Sequence, residues 1–201
     1  MKRVAVLIEM KGGKVKPACL GVISAAHDSD AELFALVFEG TAAASLETLQ
    51  AHGIDRVIEI TSQGGPIQWN ADHWARAAIQ ALQHHTIKTL LGLASVQGKN
   101  LLSRIAALLE APLIMDCTGI NLSEHTAVKS QFSGRAVAEF KTHGEYHLYG
   151  MRPNALSAVP SPGKAILEMF QAVLEKSNLR VLEVQQGLSD RVDLTEADVI
   201  I

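Results

Sequence analysis

From Arg3 to Met115, short and nearly unbroken apolar runs alternate with stretches of helical periodicity, and this alternation leaves few folds open. Arg3 to Glu9, Leu33 to Phe38, Ile54 to Ile60, Ile87 to Leu93 and Leu113 to Met115 are each short enough for a strand. Their apolar residues run on at successive positions, the pattern of strands covered on both faces. Between the first two, Pro17 stands at a first helical position and Leu20, Ile23 and Ala26 recur behind it. Leu46 and Leu49 mark a second helix, stopped by Gly53. Trp74, Ala78 and Leu82 make one stripe along Ala71 to His84, and Leu101, Ile105 and Leu108 another along Asn100 to Glu110. Strands joined by such helices need right-handed crossovers. The fold class is therefore α/β, a three-layer, mostly parallel, doubly wound sheet.

After Gly119 the texture changes. Ala127 to Phe132, Arg135 to Phe140 and Tyr146 to Met151 are short, alternating and separated by Gly or polar turns. They are expected as antiparallel strands that extend the sheet or fold over one of its edges. Ala165 to Glu175 is ambiguous between helix and strand: Ile166, Met169-Phe170 and Val173-Leu174 have helical spacing, and the Glu, Met, Leu and Ala content supports a helix. Leu179 to Val184 carries a strand signal. Residues 1–184 are expected to form the α/β domain, with 185–201 as a linker ending in a strand.

Composition narrows the function classes. The chain has 201 residues, 48% apolar and 19% charged, which suits a globular domain with one substantial core. A net charge of −3 without a Lys/Arg cluster argues against nucleic acid. The run Val4 to Ile8 is far too short to span a bilayer, so membrane insertion is not expected. The expected setting is cytoplasmic, bacterial in the first place, with a mitochondrial matrix also compatible. Cys19 and Cys117 lie far apart without metal-like spacing and read as buried reduced thiols.

The candidate for chemistry is the loop Gly92-Leu-Ala-Ser-Val-Gln-Gly-Lys-Asn100, in particular Gly92, Ala94, Ser95, Gly98 and Lys99. Small residues between a strand and a helix can bring backbone N–H groups to a phosphate. The pattern is neither a Walker A nor a GxGxxG, and no Ser or Thr follows Lys99. A tight turn in which Ser95 or Asn100 satisfies backbone groups stands beside the adenine-nucleotide reading. Asp116, Thr118 and Gly119 fall past the fifth strand, near a carboxyl-edge crevice. The eight histidines are scattered without metal-site spacing, and His84-His85 suit a helix C-terminus. Ser24/Asp28 and Ser95/Asp116 lack the elbow and the base that a hydrolase needs. Trp69 and Trp74 read as core or interface anchors rather than a ligand platform. No catalytic residue and no metal ligand is assigned.

Several stretches, in order, are similar to the electron-transfer flavoprotein alpha subunit. They are Val4 to Glu9 with Gly13 to Pro17, Leu91 to Ser95 with Gly98 to Leu109, and Pro112-Leu-Ile-Met-Asp-Cys-Thr-Gly-Ile120. Phe132-Ser-Gly-Arg-Ala-Val-Ala138, Met151-Arg-Pro-Asn154 and Ser189 to Ile201 follow. Val192 stands where that family commonly has Pro, and Ala165 to Glu175 looks more helical than the strand the family suggests. The resemblance implies a fold like that of adenine-nucleotide-binding domains and a heterodimer with a beta subunit. It implies an electron carrier of respiratory pathways such as fatty acid β-oxidation, not an enzyme. FAD would be bound by a C-terminal domain following Ile201, and AMP, in this family, by the beta subunit. Electrons would pass from flavin-dependent dehydrogenases to a membrane quinone reductase. No FAD-contacting residue is expected within these 201 residues. The rival expectation is a free-standing adenine-nucleotide-binding or regulatory domain.

Overall fold

Along the first apolar run, Val4, Val6 and Ile8 fall in one hydrophobic cluster and Ala5 and Leu7 in another, as the two-residue period of a strand requires when both faces are covered. A computed structural model describes residues 2–27, 31–38, 40 and 42–183. β1 (Lys2–Leu7) and a small hairpin of β2 (Met10–Lys11) and β3 (Lys14–Val15) lead into α1 (Pro17–Ala26). β4 (Ala31–Val37), α2 (Ala42–Ala51) and β5 (Arg56–Ser62) follow, with β6 (Gly65–Pro66) turned back on β5. Next come α3 (Ala71–His84), β7 (Thr89–Leu93), α4 (Val96–Leu108) and β8 (Leu113–Cys117). β9 (Gly119–Asn121), β10 (Thr126–Gln131) and β11 (Ala136–Lys141) form a separate antiparallel sheet, and β12 (His147–Met151) and β13 (Ile166–Gln171) rejoin the main one.

The main sheet runs β13-β5-β4-β1-β7-β12-β8, and neighbours along this path are parallel. Cys19, Val22, Ile23 and Leu49 of α1 and α2 pack on one face, Trp74, Leu82, Leu101 and Ile105 of α3 and α4 on the other. The winding reverses between β1 and β7, so a crevice opens there at the carboxyl ends of the strands.

Several expectations need correcting. β12 is not antiparallel. It lies parallel between β7 and β8 and all five of its residues are buried. The three-stranded excursion β9–β11 returns the chain to the amino end of the sheet, so an antiparallel sheet serves as the crossover that a helix usually makes. The excursion itself matches the expected pair of antiparallel strands closely. α4 starts at Val96 rather than Asn100, because Ser95 caps it. Ala165 to Glu175, open between helix and strand in the sequence, contains a strand: β13 pairs with β5 from Ile166↔Arg56 to Gln171↔Thr61. Only Phe170, Ala172 and Leu174 turn into the α3 side of the core, at strand period, while Ile166, Leu167 and Met169 stay exposed. The apparent helical stripe mixed buried with exposed side chains. Leu179 to Glu183 forms no strand; there the Leu179 carbonyl accepts from the Asn70 side chain, 2.9 Å away, instead of from a neighbouring strand. Val184 and residues 185–201, including Val192 and the expected terminal strand, lie outside the described residues, as does Asp28.

Residues 152–165 cross the α1–α2 face to carry the chain from β12 to β13. Val159 N–H donates to Ser24 Oγ at 2.9 Å, Ser161 to the Ala51 carbonyl and Gly163 to the Gln50 carbonyl. A Cβ on Gly21 would stand 2.3 Å from the Leu156 carbonyl oxygen, so glycine in mid-helix is what lets this strap lie flat. At the amino end of the sheet, charges alternate across four adjacent strands. Glu32 of β4 accepts from Arg3 of β1 and Arg56 of β5, and Arg56 also bonds Glu168 of β13.

Candidate functional site

The crevice between β1 and β7 is lined by the candidate loop. Ser95 accepts the Gly98 N–H at 2.9 Å and so caps α4, an arrangement worth about 1 kcal/mol. Gly98 is obligatory: its Cβ would stand 1.9 Å from the Leu93 carbonyl oxygen. The Ser95 hydroxyl in turn donates to Glu9 Oε1 at 2.5 Å. Glu9 is 2% exposed, and its other carboxylate oxygen lies 2.7 Å from Lys16 Nζ. The β2–β3 hairpin makes this possible by bringing Lys16 N–H back onto the Glu9 carbonyl at 2.9 Å. Negative charge at a helix N-terminus is favourable, and here a side chain of the same chain supplies it. Glu9 is the residue that the sequence reading missed. Its one signal was an acid at the end of an apolar run.

The remaining candidates are held in other ways. Lys99 pairs with Asp116 at 2.9 Å, Nζ to Oδ1. Asp116 is the extra residue of a β-bulge in β8, with φ +60°, since Met115 pairs with Gly150 and Cys117 with Met151. Thr118 donates from both N–H and hydroxyl to the Val128 carbonyl, and Gly119 begins β9. Gly92 and Ala94 lie at the end of β7 and just beyond it, Gly92 under Leu102 of α4. Ser95 and Asp116 thus serve separate partners. Ser24 bonds the Leu20 carbonyl and Val159.

Cys19 and Cys117 are buried free thiols, and burial pushes them up to about 12 and about 11. Trp74 stacks on Phe38 at 4.3 Å and donates to the Ile67 carbonyl, a core role. Trp69 stands edge-on to it and lines a cleft of about 610 Å³ with His73, Lys176 and Arg180. A second, open groove of about 460 Å³ lies between Asp116, Lys129, Arg152 and the β10–β11 turn. Two scattered histidines meet: the rings of His125 and His147 stack at 3.7 Å, 9° from parallel. Among the described residues no cluster of three or more His, Cys, Asp or Glu could hold a metal ion. No helix among them is long and apolar enough to cross a membrane.

The arrangement is that of the doubly wound α/β class, with its switch-point crevice occupied by a carboxylate of the chain itself. The chain belongs to the electron transfer flavoprotein domain family, whose pattern matches residues 4–181. It is 22% identical to the probable mitochondrial electron transfer flavoprotein subunit alpha of Schizosaccharomyces pombe over 98% of this chain. It is 22% identical over its whole length to the alpha subunit of Bacillus subtilis, and 25% over 66% of the chain to that of Thermoanaerobacterium thermosaccharolyticum. The match spans 59%, 63% and 43% of these relatives, so the chain covers less than two thirds of their length.

Proposed function

We propose that this domain is the N-terminal scaffold of an electron-transfer flavoprotein alpha subunit. It packs on a beta subunit and supports FAD held by a C-terminal domain, beyond the part of the relatives that these residues match. The flavin relays electrons from flavin-dependent dehydrogenases to a quinone reductase, and no step of that relay falls to a side chain described above. Electron transfer at ordinary potentials needs a cofactor, and the cofactor carries the chemistry.

One observation carries the reading. Where a nucleotide phosphate would meet the N-terminus of α4, Glu9 already sits between Ser95 and Lys16. A phosphate placed there would face a buried carboxylate, and like charges at that distance repel strongly in a low-dielectric site. Gly92, Ala94, Ser95, Gly98 and Lys99 are on this reading a structural turn. Calorimetric titration of the purified chain with AMP, ATP and FAD is expected to give no heat of binding, and the preparation to be colourless. Micromolar nucleotide binding would instead establish a nucleotide-binding domain.

A further inference from the structure

We propose that two copies of this chain associate through β13, each pairing antiparallel with the β13 of the other about a two-fold axis at Met169. The inference rests on the fold and not on the scaffold reading.

Among the described residues no strand lies beyond β13, so its outer row of peptide groups is open. The N–H groups of Ile166 and Ala172 donate to the carbonyls of Asp55 and Thr61 on the β5 side. The register with β5 is unbroken, so even-numbered residues bond inward and odd-numbered ones face out. Both ends of the outward row are closed. The Ala165 N–H is taken by the Ile54 carbonyl, and the Gln80 side chain bonds both the N–H and the carbonyl of Val173. What stays open is Leu167, Met169 and Gln171, a row symmetric about its middle residue.

Such a row fits a copy of itself. With Met169 opposite Met169, Leu167 of each copy exchanges hydrogen bonds with Gln171 of the other, and every open group is used. A one-residue slip turns the side chains to the wrong face. A two-residue slip sets Gln171 against Ala165 or Leu167 against Val173, whose groups are already claimed. It also places Glu168 opposite Glu168 or Lys164 opposite Lys176, and like charges directly opposite are destabilising. In the symmetric register Glu168 instead faces Phe170, and the exposed Lys164 of one copy comes beside the exposed Glu175 of the other. Met169 is 74% exposed and Leu167 is open on the same face, so the pairing covers apolar side chains that the single chain leaves in water. An unrelated extended strand could meet the same peptide groups. A copy of β13 also brings stops at matching positions and charges that pair.

A contact of this length falls short of the roughly 800 Å² per partner of a stable interface, so the dimer is weak. Sedimentation equilibrium of the purified chain is expected to show monomer and dimer in exchange, with a dissociation constant on the order of 0.1 mM. Met169→Lys, a charge on the edge, is expected to raise it roughly tenfold or more. Oxidation of cysteine variants reads the register. In the hydrogen-bonded pair the two Cα atoms at position 169 stand about 5.5 Å apart, within reach of a disulfide. Met169→Cys is therefore expected to cross-link into dimers. Leu167→Cys alone is not, since its two copies stand roughly 13 Å apart along the strands. Mixed Leu167→Cys and Gln171→Cys chains should cross-link again. Cys19 and Cys117 are buried and stay out of the reaction. Unchanged thermal unfolding checks that each variant folds. A chain that stays monomeric up to about 1 mM overturns the proposal. So does a dimer that tolerates Met169→Lys, or one in which Met169→Cys cross-links no better than Leu167→Cys. None of these results touches the scaffold reading.

Discussion

A carboxylate taken out of water needs partners, and Glu9 has two, a cation and a hydroxyl. Glu9→Ala takes from Lys16 its carboxylate at 2.7 Å and leaves Ser95 without its acceptor, a loss expected at about 1–3 kcal/mol. Urea denaturation checks it: the midpoint should fall at unchanged slope, and Glu9→Gln, which keeps an acceptor, should fall less. The His125–His147 stack makes the second residue-scale prediction. Thr142 Oγ lies 2.7 Å from His147 Nδ1 and 2.9 Å from the Tyr149 hydroxyl, while His125 Nδ1 is buried with no hydrogen-bond partner among the described residues. Burial holds both rings below the ordinary imidazole value, helped by Lys2 and Lys141 around His125 and by His125 and His143 around His147. The unfolded chain therefore takes up protons that the native rings refuse. Stability from this source is complete above about pH 6.5 and is lost as pH falls through that value. Replacing both histidines with Gln should flatten the fall between pH 7 and pH 5 in a thermal-unfolding series, leaving the share due to His85, which burial and His84 also depress. Neither site was legible in the sequence. Both depend on residues that only the fold brings together, Lys16 through a hairpin and His125 through the β9–β11 excursion.

The elements that could be read were those whose burial is uniform. β1, β4, β5 and β7 are covered on both faces, so their apolar runs carry one meaning. α3 came out at Ala71–His84 because Asn70 caps it and Trp74, Ala78 and Leu82 all face the core. β12 misled and β13 stayed ambiguous, for opposite reasons. β12 is buried everywhere but reaches its place by an unusual crossover, which no local pattern records. β13 shows water much of its apolar surface. The strap before β13 offers a direct test of element packing. In an isolated helix Gly21→Ala would gain about 1 kcal/mol. Here the new methyl must displace the Leu156 carbonyl, so a net loss of about 1–3 kcal/mol is expected from the overpacked contact. Equilibrium unfolding measures the sign, and a gain would mean that the strap lifts off α1 freely.

Across the whole molecule the two edges of the main sheet are treated differently. β8 is flanked by the β9–β11 sheet and followed directly by it, whereas β13 ends the sheet with Ile166, Leu167 and Met169 exposed. Bare edge strands invite pairing, and Glu168, tied to Arg56, is the charged residue that β13 sets against this. The pairing between β5 and β13 also spans an interval that matters before the molecule exists in finished form. Arg56 and Glu168 are 112 residues apart. A ribosome adding about 5–20 residues per second needs roughly 5–20 s to cover that distance. Throughout that time β5 has emerged but its outer partner has not, and the strand must wait with one row of peptide groups unclaimed. For a protein of this topology the hazard of mispairing is set by the clock of translation as much as by the strength of any contact.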